Sequence, residues 1–285
     1  MPELPDLVRI VKALGPEIEG RRITRAAVKN PIVLRVLVPG SFPELIAGRS
    51  FLGLERRGPF LRFGLGELDL VMHLMLAGRL KLAPPGGAAA KPLPATAFSL
   101  EFEDGRTLFY GDDKSMGKVY LCPAGSFEAI PGYLSQGIDI LSPGFSFEAF
   151  SALIAKKRCQ ARVFIMDQSC LSAIGNAYAD EILFEAGIHP KAPCCALPPE
   201  KKRALYDAVV SVIAWGIGEV EKAGKPLEEK VRGHMRVRNR AGEKCPRCGS
   251  TIRKAGVLGF DAFFCPACQP DIVGRGLDWN KLPKA

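Results

Sequence analysis

Cys245-Pro246-Arg247-Cys248, then sixteen residues, then Cys265-Pro266-Ala267-Cys268: this stretch decides how the end of the chain folds. Each Cys-x2-Cys pair closes a tight turn, and two such pairs can converge on the tetrahedral sulfur shell that Zn2+ prefers. The residues between them, 249–264, are long enough for a β-hairpin and supply Gly256 and Gly259 as turn material. One structural zinc ion on Cys245, Cys248, Cys265 and Cys268 is therefore expected. Just upstream, residues 230–254 hold nine Lys/Arg (Lys230, Arg232, Arg236, Arg238, Arg240, Lys244, Arg247, Arg253, Lys254) against one acid, Glu243. A metal-pinned hairpin beside that charge suits a polyanion, nucleic acid first among them. A purely structural knuckle on a solvated basic face would have the same composition.

Working outward, 285 residues suffice for about two domains with cores of their own. A hydrophobic content of 47% fits a soluble globular protein. No apolar run reaches the roughly 18 residues of a membrane helix, and the start lacks the basic-then-apolar layout of a signal peptide. The other cysteines, Cys122, Cys159, Cys170, Cys194 and Cys195, are odd in number and show no pairing pattern. With a thiolate metal site present, they point to a reducing, cytoplasmic setting, in association with the nucleoid if the partner is DNA. The net charge of +9 is uneven: residues 1–150 carry 17 basic and 16 acidic side chains, residues 151–285 carry 22 and 14. The second half is thus the electrostatic anchor, and the first half must supply selectivity.

Residues 4–14 place Leu4, Leu7, Val8, Ile10, Val11 and Leu14 at a helical period, with Pro5 in the first turn where its missing N–H costs nothing. From 22 to 122 the pattern changes to short β-type runs at 32–38, 60–63, 68–74, 98–102, 107–110 and 118–121. That spacing predicts a β-sandwich or barrel-like sheet opened by one helix. Residues 83–97, rich in Pro and Gly, read as a flexible surface loop, and 123–143 as an interdomain segment. Helical periodicity follows at 147–154, 179–186 and 199–223.

Four blocks in order carry a resemblance. They are Pro2-Glu3-Leu4-Pro5; His73-Leu74 before Gly78; Ile174-Gly175-Asn176-Ala177-Tyr178-Ala179-Asp180-Glu181-Ile182-Leu183-Phe184 with Gly187-Ile188-His189-Pro190; and the four-cysteine finger. Over nearly its whole length the chain resembles the formamidopyrimidine-DNA glycosylase / endonuclease VIII family of base-excision repair enzymes. The resemblance implies an α+β fold: an N-terminal β-sandwich with flanking helices, a helix–two-turn–helix module and a C-terminal zinc β-hairpin, with DNA in the cleft between lobes. The expected boundaries are 2–122, a linker at 123–143, 144–231, 232–270 and a tail at 271–285. The implied partner is double-stranded DNA containing damaged bases or abasic sites, bound by a monomer.

Pro2 has a chemical reading of its own. Removal of Met1, which the small second residue permits, leaves a secondary amine with a pKa of about 8, so a usable fraction is unprotonated. Such an amine can attack C1′ of a deoxyribose, expel the base and form an iminium, after which β-elimination cuts the strand. Glu3 is placed to relay protons. Met-Pro-Glu is also an ordinary helix start. Asn176, entering a helix after Gly175, reads as a phosphate clamp or an N-terminal cap; the matching family residue binds phosphate, as does the family histidine matching His73.

Departures from the family pattern are as informative. A lysine expected after the basic pair is Pro59; an arginine expected five residues before the third finger cysteine is Phe260. A tyrosine seven residues before the first is Arg238, and the second N-terminal carboxylate is Asp6. The gap-filling methionine aligns with Leu76, and an Arg-Arg-Phe wedge with Lys114-Ser115-Met116. Leu76 and Met116 still suit a vacated base stack, and Lys114 can donate to an orphaned base without arginine's fork. Arg57, Arg238 and Arg240 are the candidate compensating cations. Two lost charge-assisted contacts at roughly 1.5–3 kcal/mol each would weaken lesion engagement by about a few hundred-fold or more if uncompensated. Two functions therefore compete: a bifunctional glycosylase/AP lyase with altered lesion preference, and a catalytically weak reader of damaged or distorted DNA.

Overall fold

Helix α1, Leu4–Ile18, begins on a reciprocal cap: the Glu3 N–H donates to Asp6 Oδ2 at 2.8 Å, and the Glu3 carboxylate takes the Asp6 N–H. Its buried stripe is Leu4, Leu7, Ile10, Leu14 and Ile18, the helical period read from the sequence. The computed structural model describes residues 1–86 and 91–271. Part of the predicted surface loop (87–90) and nearly all of the predicted tail (272–285) lie outside the described residues.

Among the described residues the chain forms two compact units, the first being Met1–Ser135 with Val220–Val231. Nine strands build two sheets there. β1 (Ile23–Val28), β7 (Thr96–Phe102), β8 (Thr107–Gly111) and β6 (Arg79–Ala83) lie in that order; the other sheet runs β2 (Leu34–Val36), β9 (Lys118–Pro123), β5 (Leu68–His73), β4 (Phe60–Gly64), β3 (Gly53–Arg57). All pairings are antiparallel except β2 with β9. The buried Phe51 ring joins the sheets, 5.5 Å from Phe63 of β4 and 5.8 Å from Phe102 of β7. The expected sandwich with a flanking helix is what forms.

Details differ from the sequence reading for local reasons. The run at 32–38 is not one strand. Pro31–Val33 is a 3-10 turn held by the Asn30 side chain accepting the Ile32 N–H at 3.1 Å, and only Leu34–Val36 joins a sheet. Pro59 lies with Gly58 in the two-residue turn between β3 and β4, off the ladder and beside an edge strand. The expected linker at 123–143 is divided: Ile130 and Tyr133 are buried against Phe60, Val71, Tyr120 and Cys122 of the sheet. The segment Val220–Val231, expected with the helical module, groups instead with the first unit. Lys12 pairs there with Glu221, and Arg9 donates to the Glu229 carbonyl at 3.3 Å.

The second unit contains α3 (Phe147–Ala155), α4 (Ala161–Met166), α5 (Asn176–Ala186) and most of α6 (Pro199–Lys222), then the hairpin β10 (Arg253–Val257) and β11 (Phe260–Phe264). α4 and α5 are joined by two turns. Asp167 organises the first, accepting from Ser169 N–H at 3.0 Å and pairing with Lys157 at 2.9 Å. Gln168 organises the second, accepting the Ala173 N–H at 2.7 Å and donating to Ile174 O at 2.8 Å. α5 stops at Gly187, whose φ of 62° suits glycine and whose missing Cβ makes room for the Cys268 carbonyl, 3.2 Å from where that carbon would lie. This is the helix–two-turn–helix and zinc-hairpin arrangement expected.

Candidate active site and nucleic-acid interface

In the first unit, the α1 cap fixes the chain's start. Pro2 is buried and lines an open pocket with Asp6, Arg9, Leu74, Gly78, Arg79 and Lys230. The first and second sequence blocks thereby meet, since Leu74 and Gly78 bound a turn closed by Gly78 N–H to Leu74 O at 2.8 Å. With Met1 attached the Pro2 nitrogen is an amide; removing that residue would turn the same atom into an amine at the pocket wall. Asp6 caps the helix, so the shortened carboxylate has a definite structural task, and Glu3 is buried next to Pro2.

His73 ends β5 beside this turn. Its Nδ1 accepts the Met75 N–H at 3.1 Å, and its ring stands edge-on to Phe60 at 4.9 Å. Burial, then the positive charges of Lys118 and the chain's amino terminus, push its pKa down to about 4. At neutral pH the ring is therefore uncharged, with its proton on Nε2. It can donate to a phosphate as a neutral group, much as a backbone amide would.

Leu76 sits on the following turn, 48% exposed, with the Met75 backbone at a φ of 48° and the Leu76 carbonyl held by Lys230 Nζ at 2.9 Å. Lys114 and Met116 project from a second turn built on buried Asp112. That carboxylate accepts Lys114 N–H at 3.1 Å and Gly117 N–H at 2.6 Å, while Asn30 Nδ2 donates to Ser115 Oγ at 3.0 Å. A Cβ on Gly117 would lie 1.7 Å from the Tyr110 hydroxyl, so only glycine fits. Lys114 is exposed, as is Met116 at 41%. Both apolar candidates thus stand on turns fixed from below. Arg57 does not: its Nε donates to the Tyr133 carbonyl at 2.9 Å and its guanidinium lies 5.5 Å from the Tyr133 ring centroid. It folds residues 130–134 onto the sheet.

In the second unit, Asn176 is the first residue of α5. Its Oδ1 accepts from Arg162 at 2.7 Å. Because guanidinium only donates, this contact fixes the amide orientation and turns the NH2 group the other way. Arg162 was not legible as a site residue. It is 1% exposed, pairs with Asp180 at 2.8 Å and donates to the Asp261 carbonyl of the hairpin at 3.0 Å. Arg238 holds the other Asp180 oxygen at 2.7 Å and lies over Phe263. Burial pushes the Asp180 carboxyl up, against the pull of both guanidiniums. Glu181, fully buried, accepts three successive N–H groups, those of Arg236, Val237 and Arg238, at 2.9–3.0 Å. In the sequence Arg162 shows only as a charge inside an apolar run, whereas Asp180-Glu181 lie within the third family block with no role of their own legible there.

The basic run therefore reads differently in space. Arg236 pairs with Glu181 and Glu185, Arg238 with Asp180, Arg247 with Glu185, Arg240 with Glu243, and Lys254 with Asp261. Arg240 also donates to the Met235 carbonyl at 2.6 Å. Much of the run fastens the finger to α5 and ties its own loop; Lys244 and Arg253 remain exposed.

The four finger sulfurs, on Cys245, Cys248, Cys265 and Cys268, lie within 4.8 Å of one another. Tetrahedral Zn–S bonds of about 2.3 Å require separations of about 3.8 Å, so the set fits a single zinc ion. Gln269 braces it, accepting Cys265 N–H and donating to Ile188 O, both at 2.9 Å. The ion's role is structural, since all four positions of its shell are protein thiolates. No helix among the described residues is long and apolar enough to cross a membrane.

Solved structures share this architecture. MutM (Fpg) from Thermus thermophilus superposes with a TM-score of 0.81 at 30% identity, covering 94% of this chain and 98% of that one. Lactococcus lactis Fpg in complex with an abasic site containing DNA gives 0.83 at 25% identity, covering 94% and 100%. Three family models match in order: the formamidopyrimidine-DNA glycosylase N-terminal domain over residues 1–119, the H2TH domain of the same glycosylase over 136–225, and a zinc finger found in FPG and IleRS over 242–270. Formamidopyrimidine-DNA glycosylase of Moorella thermoacetica is 36% identical over 89% of this chain and 94% of its own length, and that of Chloroflexus aurantiacus 32% over 94% and 98%. The chain belongs to the formamidopyrimidine-DNA glycosylase family.

Proposed function

We propose that the protein is a bifunctional DNA glycosylase/AP lyase acting on damaged duplex DNA, with a lesion preference altered from the family pattern. The observation that carries this is Pro2 buried at the wall of a pocket shared with Leu74, Gly78 and Arg79, beside Glu3. Once Met1 is removed, the Pro2 nitrogen attacks C1′ and gives up its proton as the C1′–N bond to the base breaks and the base leaves protonated. Glu3 then delivers a proton to the ring oxygen, the C1′–O4′ bond opens and the nitrogen lone pair closes the C1′=N iminium. The resulting iminium acidifies C2′; loss of that proton expels the 3′ phosphate by β-elimination, and water then releases the sugar fragment and regenerates the amine. Leu76 and Met116 fill the vacated stack, while His73 and Asn176 donate to backbone phosphates. Lys114 in place of an arginine presents a single point charge to the orphaned base, which supports a relaxed opposite-base rule.

Borohydride trapping on abasic and oxidised-base duplexes tests this, with the Pro2 terminus confirmed by mass spectrometry. A covalent adduct is expected, and Pro2→Gly should lower its yield by about an order of magnitude or more. No adduct from protein with a confirmed Pro2 terminus would remove the enzymatic reading. The competing reading, a reader of distorted DNA, is supported by the engagement of Arg57 and Arg238 with protein groups, which leaves Pro59 and Phe260 without those substitutes. It predicts tight damaged-DNA binding unaffected by Pro2→Gly.

A further inference from the structure

The zinc hairpin turns through Leu258 and Gly259, whose φ angles are 45° and 77°. A two-residue connection with both central residues left-handed follows the right-handed twist of its strands, but it favours Asn, Asp or Gly at its first position. Leucine is disfavoured there, and packing does not explain its presence, because Leu258 is 73% exposed. Phe260 follows at the start of β11, opposite Val257 and 55% exposed. Along its face of β11, Ala262 and Phe264 are buried, and so across the ladder is Val257, which leaves the Phe260 ring itself uncovered at the tip. Five register pairs and the cysteine cluster at the base make the hairpin a stiff support.

The surroundings indicate what meets this tip. Lys254 pairs with Asp261, the one carboxylate of the hairpin, and Arg253 is exposed on β10. An aromatic ring at the end of a basic hairpin cannot hold a phosphate, but it can stack on a nucleobase, every one of which has a π-face. In an intact duplex those faces are covered by neighbouring bases. They become available where a lesion, an abasic site or a flipped nucleotide interrupts the stack.

We propose that Phe260, shouldered by Leu258, stacks on a nucleobase exposed at the damaged position, so that the finger tip senses unstacking. The inference rests on the damaged-DNA reading above and deepens it by assigning a determinant of lesion context.

The test measures binding of the zinc-loaded full chain to an intact duplex and to an abasic duplex over a range of salt. A 2-aminopurine beside the abasic site reports stacking through its fluorescence. Phe260→Ala should weaken abasic-duplex binding by about 5- to 100-fold, leave intact-duplex binding and the salt dependence nearly unchanged, and abolish the quenching. Phe260→Trp should restore the quenching. Phe260→Arg should steepen the salt dependence by about one unit of slope without restoring it. Zinc content checks that each variant is folded. Equal affinity and quenching in Phe260→Ala, equal loss on both duplexes, or a shift from dimer to monomer on sedimentation would each overturn the proposal. If covalent trapping persists in those cases, the enzymatic reading stands and only the tip assignment falls. Failure of the wild type to prefer the abasic duplex overturns both.

Discussion

His73 shows how one side chain's surroundings set its use. Held at about pKa 4 in the folded chain against 6.5 when exposed, it takes up a proton on unfolding throughout that interval. The contribution of His73 to stability is therefore present above pH 6.5 and is lost as the pH drops toward 4. Denaturant titrations at pH 7 and pH 5 should differ by on the order of 1–2 kcal/mol more in the wild type than in His73→Gln. Gly117 makes a steric case. Gly117→Ala places a carbon 1.7 Å from the Tyr110 hydroxyl and should cost about 1–3 kcal/mol, while displacing Lys114 and Met116. Tyr110→Phe in the same chain removes the obstructing oxygen. The double variant should recover part of the loss in a thermal-unfolding cycle, whereas strictly additive effects would argue against this contact as the cause.

Between elements, the decisive joint is α5 with the finger. Glu181 satisfies three backbone N–H groups that have no strand or helix partner, and Asp180 bridges Arg162 and Arg238. Glu181→Gln should destabilise the chain by about 1.5–3 kcal/mol, because a neutral amide oxygen accepts less strongly from the three N–H groups and Arg236 keeps only Glu185 of its two carboxylates. Hydrogen exchange should localise the effect to residues 232–245 and α5. Arg162→Met should destabilise the same joint, since buried Asp180 keeps only Arg238, and should also act on DNA affinity through Asn176, whose amide loses the contact that orients it. The expected readout is weaker binding to intact and damaged duplexes alike, since a phosphate contact is blind to sequence.

For the molecule as a whole, zinc and charge distribution matter most. Chelation should release one zinc per chain and open the region around residues 242–270 to proteolysis, because the hairpin has too little apolar burial to close without its metal. A fragment containing residues 1–135 should persist, since the first unit has its own sandwich core. DNA affinity should fall with the finger even though no basic side chain has been removed.

Sequence alone settled the helix of α1, the metal set, the strand-rich first half and the family blocks. Each depends on spacing along the chain: a 3.6-residue period, a cap three residues away, a pair of thiols closing a turn. It did not settle which cations face outward. Arg57, Arg236, Arg238 and Arg247 read as one basic population until folding brought them to Tyr133, Glu181, Asp180 and Glu185, up to 76 residues distant. Nor did it separate residues 123–135 and 220–231 from their expected segments, because that assignment follows from which sheet or helix buries Tyr133 or pairs with Glu221. Local covalent geometry and periodicity are written in neighbouring residues; the partner of a charge is chosen by burial across the fold, and only the tertiary structure supplies it.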